Sequence, residues 1–257
     1  MFPVSTPIAF VATVPLLLMS VYSQAQNKEQ PAVIQALEAQ GLEVFNEFEV
    51  GGGLRAFATA AGDRPIAVYV TSDGKAIVGT RVDAKGKSID EATLQSLVAK
   101  PMDDKAWAQL ESASWVLDGK ADAPRIIYAF SDANCPYCHK FWEAARPWVE
   151  SGKVQLRHLL VGVIKADSPA KAAAILGAKD SSAAFAENER NFDRGGIKPA
   201  KNVPDDVLET LEEHKMLMFS MGFRGTPGIT VREKDGQVKK FNGMPQGDQL
   251  SEVLGPR

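Results

Sequence analysis

The chain of 257 residues is predicted to be an α+β protein: a small N-terminal unit, a helical connector and a larger C-terminal unit. Three observations predict this. From Glu43 to Val82 short apolar and β-branched runs alternate with turn residues. From Ser88 to about Ser114 the apolar residues fall at helical spacing. From Arg125 onward the order is strand, helix, strand, as in a parallel βαβ unit, followed by helices and a hairpin. With 45% hydrophobic and 24% charged residues the composition is ordinarily globular, and the length suits two compact domains.

Residues 1–25 contain no charged side chain; an apolar run from Ile8 to Met19 precedes Ser23-Gln24-Ala25, a small-x-small triplet suited to signal peptidase. Only the amine of Met1 supplies positive charge. A cleaved signal peptide is expected, with an N-terminal anchor as the alternative; the run is shorter than the roughly 20 residues of a spanning helix. The mature chain, from about Gln26, is therefore expected in an oxidising extracytoplasmic compartment.

Residues 26–84 form the expected N-terminal unit. A short helix from Pro31 to Gln40, ended by Gly41, leads into strands Glu43 to Val50, Leu54 to Ala60 and Pro65 to Thr71. Ser72-Asp73-Gly74-Lys75 is a hairpin turn into Ala76 to Val82. A small sheet with open edges invites pairing with a partner chain. Residues 85–114 are the connector: Ser88 and Glu91 make a capping-box pattern, Pro101 is expected to interrupt the helix, and Lys105 to Ser112 resumes it.

Residues 115–257 form the C-terminal unit. Arg125 to Phe130 is a buried-type strand, Pro136 to about Ser151 a helix, and Val154 to Val161 the next strand. Two helices are expected between Ser168 and Phe219, the first capped by Ser168 and the second starting at Pro204. Gly228 to Glu233 and Gln237 to Phe241 form a hairpin, and Asp248 to Leu254 a last helix.

The only cysteines are Cys135 and Cys138, in Cys135-Pro136-Tyr137-Cys138. A structural disulfide is a poor explanation, because closing so short a loop removes little unfolded-chain entropy. Half a zinc site lacks a second cysteine pair, so no metal is expected. With His139 the motif also satisfies C-x-x-C-H, the attachment pattern of c-type haem, with Met216, Met218 or Met221 as distal ligand. The placement between a buried-type strand and a helix favours redox catalysis instead. Cys135 at the helix start meets free N–H groups and the positive dipole end, so it is the expected accessible, easily ionised attacker; Cys138, one turn deeper, is the resolver. Pro136 and Tyr137 shape the turn. His139 is either a source of positive charge or an ordinary surface residue, and Asp132 a turn or capping residue rather than a proton acceptor.

A second element is Gly225-Thr226-Pro227-Gly228. A cis bond before Pro227 would turn the backbone of Thr226 toward the thiols, where it could hold an extended peptide; the sequence leaves cis and trans open.

Together, strand, C-P-Y-C, helix, strand and a late T-P resemble the thioredoxin superfamily, and "CPYCHKFWEAARPWVESGKVQLRHLLVGVIKADSPAKAAAIL" resembles the DsbC/DsbG family of thiol:disulfide interchange proteins. The resemblance implies an N-terminal cystatin-like dimerisation domain, a helical linker and a thioredoxin-like domain with a helical insertion at about 166–221, assembled as a V-shaped homodimer. It also implies a periplasmic enzyme that isomerises or reduces disulfides and reduces sulfenylated cysteines of exported clients, kept reduced by a membrane reductase of the DsbD type. No cofactor is expected beyond the cysteine pair. A chaperone-like binding protein is the alternative. The strand before the motif departs from thioredoxin in carrying Ala129 and Phe130 where a buried carboxylate might stand. A net charge of −3 without a basic stripe argues against nucleic acid as a partner.

Overall fold

The computed structural model describes residues 29–256; the expected leader lies outside them. The first sheet has four strands in sequential antiparallel order: β1 (Leu42–Phe48), β2 (Arg55–Ala61), β3 (Arg64–Val70) and β4 (Ala76–Gly79). Strand alternation decides its two faces. Phe57, Val68 and Val70 point at helix α1 (Ala32–Glu38), where they enclose Ile34. Ala56, Ala58, Ala60, Ala67 and Tyr69 point the other way, toward the connector residues Leu94 and Val98. Alanines on that face let the connector lie close.

The connector differs from its expected form. Helix α2 (Glu91–Leu94) begins after Ser88, whose backbone bridges to Val82, so the capping box is not used. Asp90 instead accepts from Tyr69 and Arg81. Nor does Pro101 break the helix. A π turn (Gln95–Ala99) runs straight into α3 (Lys100–Ser112), and Pro101 is accommodated in the first turn of α3, directly after that π turn.

The second sheet has the order β5-β7-β6-β8-β9, from β5 (Val116–Asp118), β6 (Arg125–Ser131), β7 (Val154–Leu160), β8 (Gly228–Arg232) and β9 (Val238–Asn242). Only β6 and β7 pair in parallel, joined by α4 (Pro136–Glu150). Ile127, Ala129, Leu156, Ile229 and Val231 pack on Phe141, Ala145, Trp148 and Val149 of α4 and on α8 (Asp248–Leu254). On the opposite face Tyr128, Phe130 and Leu159 meet Trp107 and Leu110 of α3 and Met218 of α7 (Asp205–Ser220). Each such fully buried large side chain contributes roughly 1.5–3 kcal/mol by leaving water.

Three α-helices, not two, occupy the segment between Ser168 and Phe219: α5 (Ser168–Leu176), α6 (Ser181–Arg190) and α7. Asp167, not Ser168, is the N-cap of α5; the Ser168 hydroxyl is engaged with Asp132 instead. The short strand β5 was also unforeseen. Among the described residues no helix is long and apolar enough to cross a membrane.

Candidate active site

Cys135 follows a turn of three residues after β6, has extended backbone and is the N-cap of α4. Pro136 follows at N1, where its fixed φ starts the helix without wasting a donor. The Cys138 N–H donates to Cys135 Sγ at 3.2 Å, the bond an N-cap side chain is placed to accept. No disulfide joins the two cysteines in this structure. The Cys135 Sγ also lies 3.4 Å from the carbonyl oxygen of Thr226, to which its thiol donates. The Thr226–Pro227 peptide is cis, resolving the alternative left open by the sequence. A Cβ on Gly228 would come within 2.8 Å of the Phe223 ring, so a side chain there would displace one of them.

The two thiols are driven apart. Cys135 falls to about 6: the Cys138 thiol hydrogen bond is the largest cause, burial opposes it, and the Thr226 side chain and the backbone N–H groups of Cys138 and Tyr137 add to it. Burial is the main reason that the Cys138 thiol is raised well above its ordinary value, helped by the neighbouring Cys135. Cys135 is only 2% exposed, so the expectation of an openly accessible thiol is corrected. It is tucked between the end of β6 and the Thr226 segment, while Tyr137, two residues on, is 56% exposed. The Thr226 hydroxyl is buried beside the thiols without a geometrically complete hydrogen bond, and its proximity favours the anionic form of each sulfur.

His139 is not an ordinary surface residue. Its Nδ1 lies 2.9 Å from Glu189 Oε2, and its ring stacks on Phe192 at 4.4 Å. That engagement counts against axial ligation of a haem. Met218 and Met221 lie in the cluster around Phe130, with Met216 exposed at the surface. Among the described residues no group of three or more His, Cys, Asp or Glu side chains is placed to hold a metal ion.

Asp132 is a turn residue, as expected, and more. Its carboxylate accepts from the N–H groups of Asn134, Val163 and Ile164 and from the Ser168 hydroxyl, tying the loop before Cys135 to the start of α5. From α6, the Asn188 side chain donates to the Ala133 carbonyl at 3.1 Å. Burial raises the Glu189 carboxyl, against the opposing hydrogen bond of His139. Neither Asp118 nor Asp132 supplies the proton acceptor that β6 lacks. At Asp118 burial acts to raise the carboxyl, but the Arg146 hydrogen bonds and the nearby His158 ring overcome it and hold the group at about 2, too weak a base to take a thiol proton near neutrality. Asp132 has its oxygens committed to donors. Sequence reasoning missed Asn134, Ser168, Asn188 and Glu189. An asparagine directly before the motif and the Asp180 cap of α6 were the available signals.

Comparison with known proteins agrees with this geometry. A family model described as a thioredoxin-like domain matches residues 118–255. The chain is 41% identical over 243 residues to the thiol:disulfide interchange protein DsbG of Pseudomonas aeruginosa, covering 94% of this chain and 95% of that protein. It is 37% identical to the protein of the same name from Escherichia coli, covering 93% and 97%. Among solved structures, the catalytic domain of Proteus mirabilis ScsC shares the fold at a TM-score of 0.50 and 21% identity, over 60% of this chain and 96% of that one. An α+β chain with a thioredoxin-like domain, matched almost end to end by these relatives, belongs to the DsbC/DsbG family of thiol:disulfide interchange proteins.

Proposed function

We propose that the protein is a periplasmic thiol–disulfide oxidoreductase that works in its reduced form, with Cys135 as nucleophile and Cys138 as resolving thiol. The observation that carries this is the split between the two sulfurs: one lowered to about 6 at a helix N-cap, the other raised by burial one turn deeper. At neutral pH Cys135 is then largely thiolate, the form that attacks.

In the first step the Cys135 thiolate attacks one sulfur of a client disulfide; a Cys135–client bond forms and the client's other sulfur leaves as thiolate. In the second, Cys138 loses its proton and attacks Cys135; the internal disulfide forms and the client's remaining sulfur leaves. The client gains the two electrons that the pair loses. If instead a client thiolate attacks the mixed disulfide, Cys135 is regenerated and the net result is isomerisation. With a sulfenic acid the same attack forms the mixed disulfide as the S–O bond breaks, and the oxygen leaves as hydroxide that takes a proton from solvent to become water. The pair is its own redox carrier and uses no further cofactor. Thr226 and Pro227 offer backbone to an extended client beside the sulfur, Pro136 and Tyr137 shape the turn, and His139 braces it through Glu189. A reductase of the DsbD type re-reduces the pair.

The N-terminal sheet serves as a cystatin-like dimerisation domain, residues 26–84, with 85–114 as linker, 115–257 as catalytic domain and about 166–221 as its insertion. Its edge strand β4 supports this, with Ile77 and Val78 each more than half exposed where a partner strand would cover them. The uncharged leader supports export. The test is to trap clients: Cys138→Ser should accumulate mixed disulfides in exporting cells, and their absence would overturn the assignment of roles.

A further inference from the structure

Lys171 on α5 is only 5% exposed, beneath the loop that carries the thiols. Burying an ammonium costs several kcal/mol unless its protons are satisfied. Its Nζ donates to Asn134 Oδ1 at 2.7 Å and to the Gly195 carbonyl at 2.7 Å, with Asp167 at 3.8 Å. Asn134 is the residue before Cys135. Its amide nitrogen donates to Asp167 and to the Ser168 hydroxyl, and its backbone N–H to Asp132. The Cys135 N–H in turn donates to the Asp132 carbonyl at 3.0 Å. Every polar atom of the Asn134 side chain is thus engaged, and none of these bonds touches the sulfur.

We infer that Lys171 is a positioning residue for Cys135, holding Asn134 and through it the N-cap of the active-site helix in the geometry that the thiolate requires. This rests on Cys135 being the nucleophile. An apolar pair of similar volume would hold α5 to the loop at least as stably. What the ammonium adds is direction: it fixes the Asn134 amide plane, and hence the φ/ψ from which Cys135 enters α4 and meets the N–H groups of Tyr137 and Cys138. Lys171 belongs to the helical insertion, so the insertion governs the thiol from behind as well as filling space beside it.

The test is a cycle of Lys171→Met, Asn134→Leu and the double variant, each read by the pH profile of iodoacetamide alkylation of Cys135 and by the rate of mixed-disulfide formation with a model disulfide. Lys171→Met is expected to slow exchange about tenfold, the scale of a small misplacement at a reacting centre, and to move the Cys135 midpoint upward. Asn134→Leu should do the same, and the double variant no more than either. The double replaces both partners by apolar groups and so is the variant expected to fold even if a single one does not. Wild-type rates and midpoint in a folded double variant, or additive effects of the singles, would overturn the inference. A wild-type midpoint near the ordinary thiol value would instead overturn the role of Cys135, so the two failures are told apart.

Discussion

Cys135 and Cys138 carry the same group within one turn of chain, yet the fold drives their thiols in opposite directions. One sits at the N-cap, where backbone donors converge and the helix dipole favours an anion. The other lies inside the first turn, where desolvation disfavours the same charge. The difference teaches that a C-x-x-C motif is asymmetric because a helix end is asymmetric. Neither residue is much exposed, at 2% and 5%, so exposure alone does not rank them; the hydrogen bonds that converge on Cys135 and the desolvation of Cys138 do.

The comparison breaks most completely at Cys135. Cys135→Ser should abolish reductase and isomerase activity, read with a scrambled-disulfide substrate and a dithiol reductant. If that variant restored clients as well as wild type, the chaperone reading would replace the enzymatic one. Next in size, Cys138→Ala removes the largest cause of the lowered Cys135 pKa, so its midpoint should rise while single-turnover attack continues and release of reduced product fails. Mass spectrometry of the stalled adduct checks this.

A smaller effect is expected at Thr226. Its side chain lowers both thiols, and Thr226→Val keeps the carbonyl while removing the hydroxyl; the Cys135 midpoint should rise by less than about one unit. No shift would show that the carbonyl contact alone matters. A separate effect falls on stability. Cys135 titrates near 6 folded and near 9 unfolded, so below 6 both states are protonated and the group adds nothing; between the two values the unfolded state binds more protons and stability rises with pH. The melting temperature of the reduced protein minus that of Cys135→Ser should therefore widen from pH 6 toward pH 9, and a flat difference would contradict a depressed thiol. Above that window the raised Cys138 works the other way.

The chemistry-bearing parts were legible in the sequence because they are local. The Cys135–Cys138 spacing, Pro136 at a helix start, the β-branched runs of β6 and β8 and the Thr226-Pro227 pair declare themselves within a few residues. The supports behind them were not. The three residues of β5 are too few to show a period, and α6 carries too weak an apolar stripe to stand out from a loop. Ser88 and Glu91 match a capping box, yet the backbone bridge to Val82 takes Ser88 elsewhere, a tertiary pairing that local pattern cannot foresee. The openness of Cys135 was over-read for the same reason: the Thr226 segment that covers it comes from 91 positions away.

The central claim is tested most directly by following thiolate absorbance at 240 nm in the reduced protein across pH, with Cys135→Ser as the blank. A single thiol ionising with a midpoint of about 6 is the predicted result. A first ionisation only near 9, or one that survives in the blank, would contradict it.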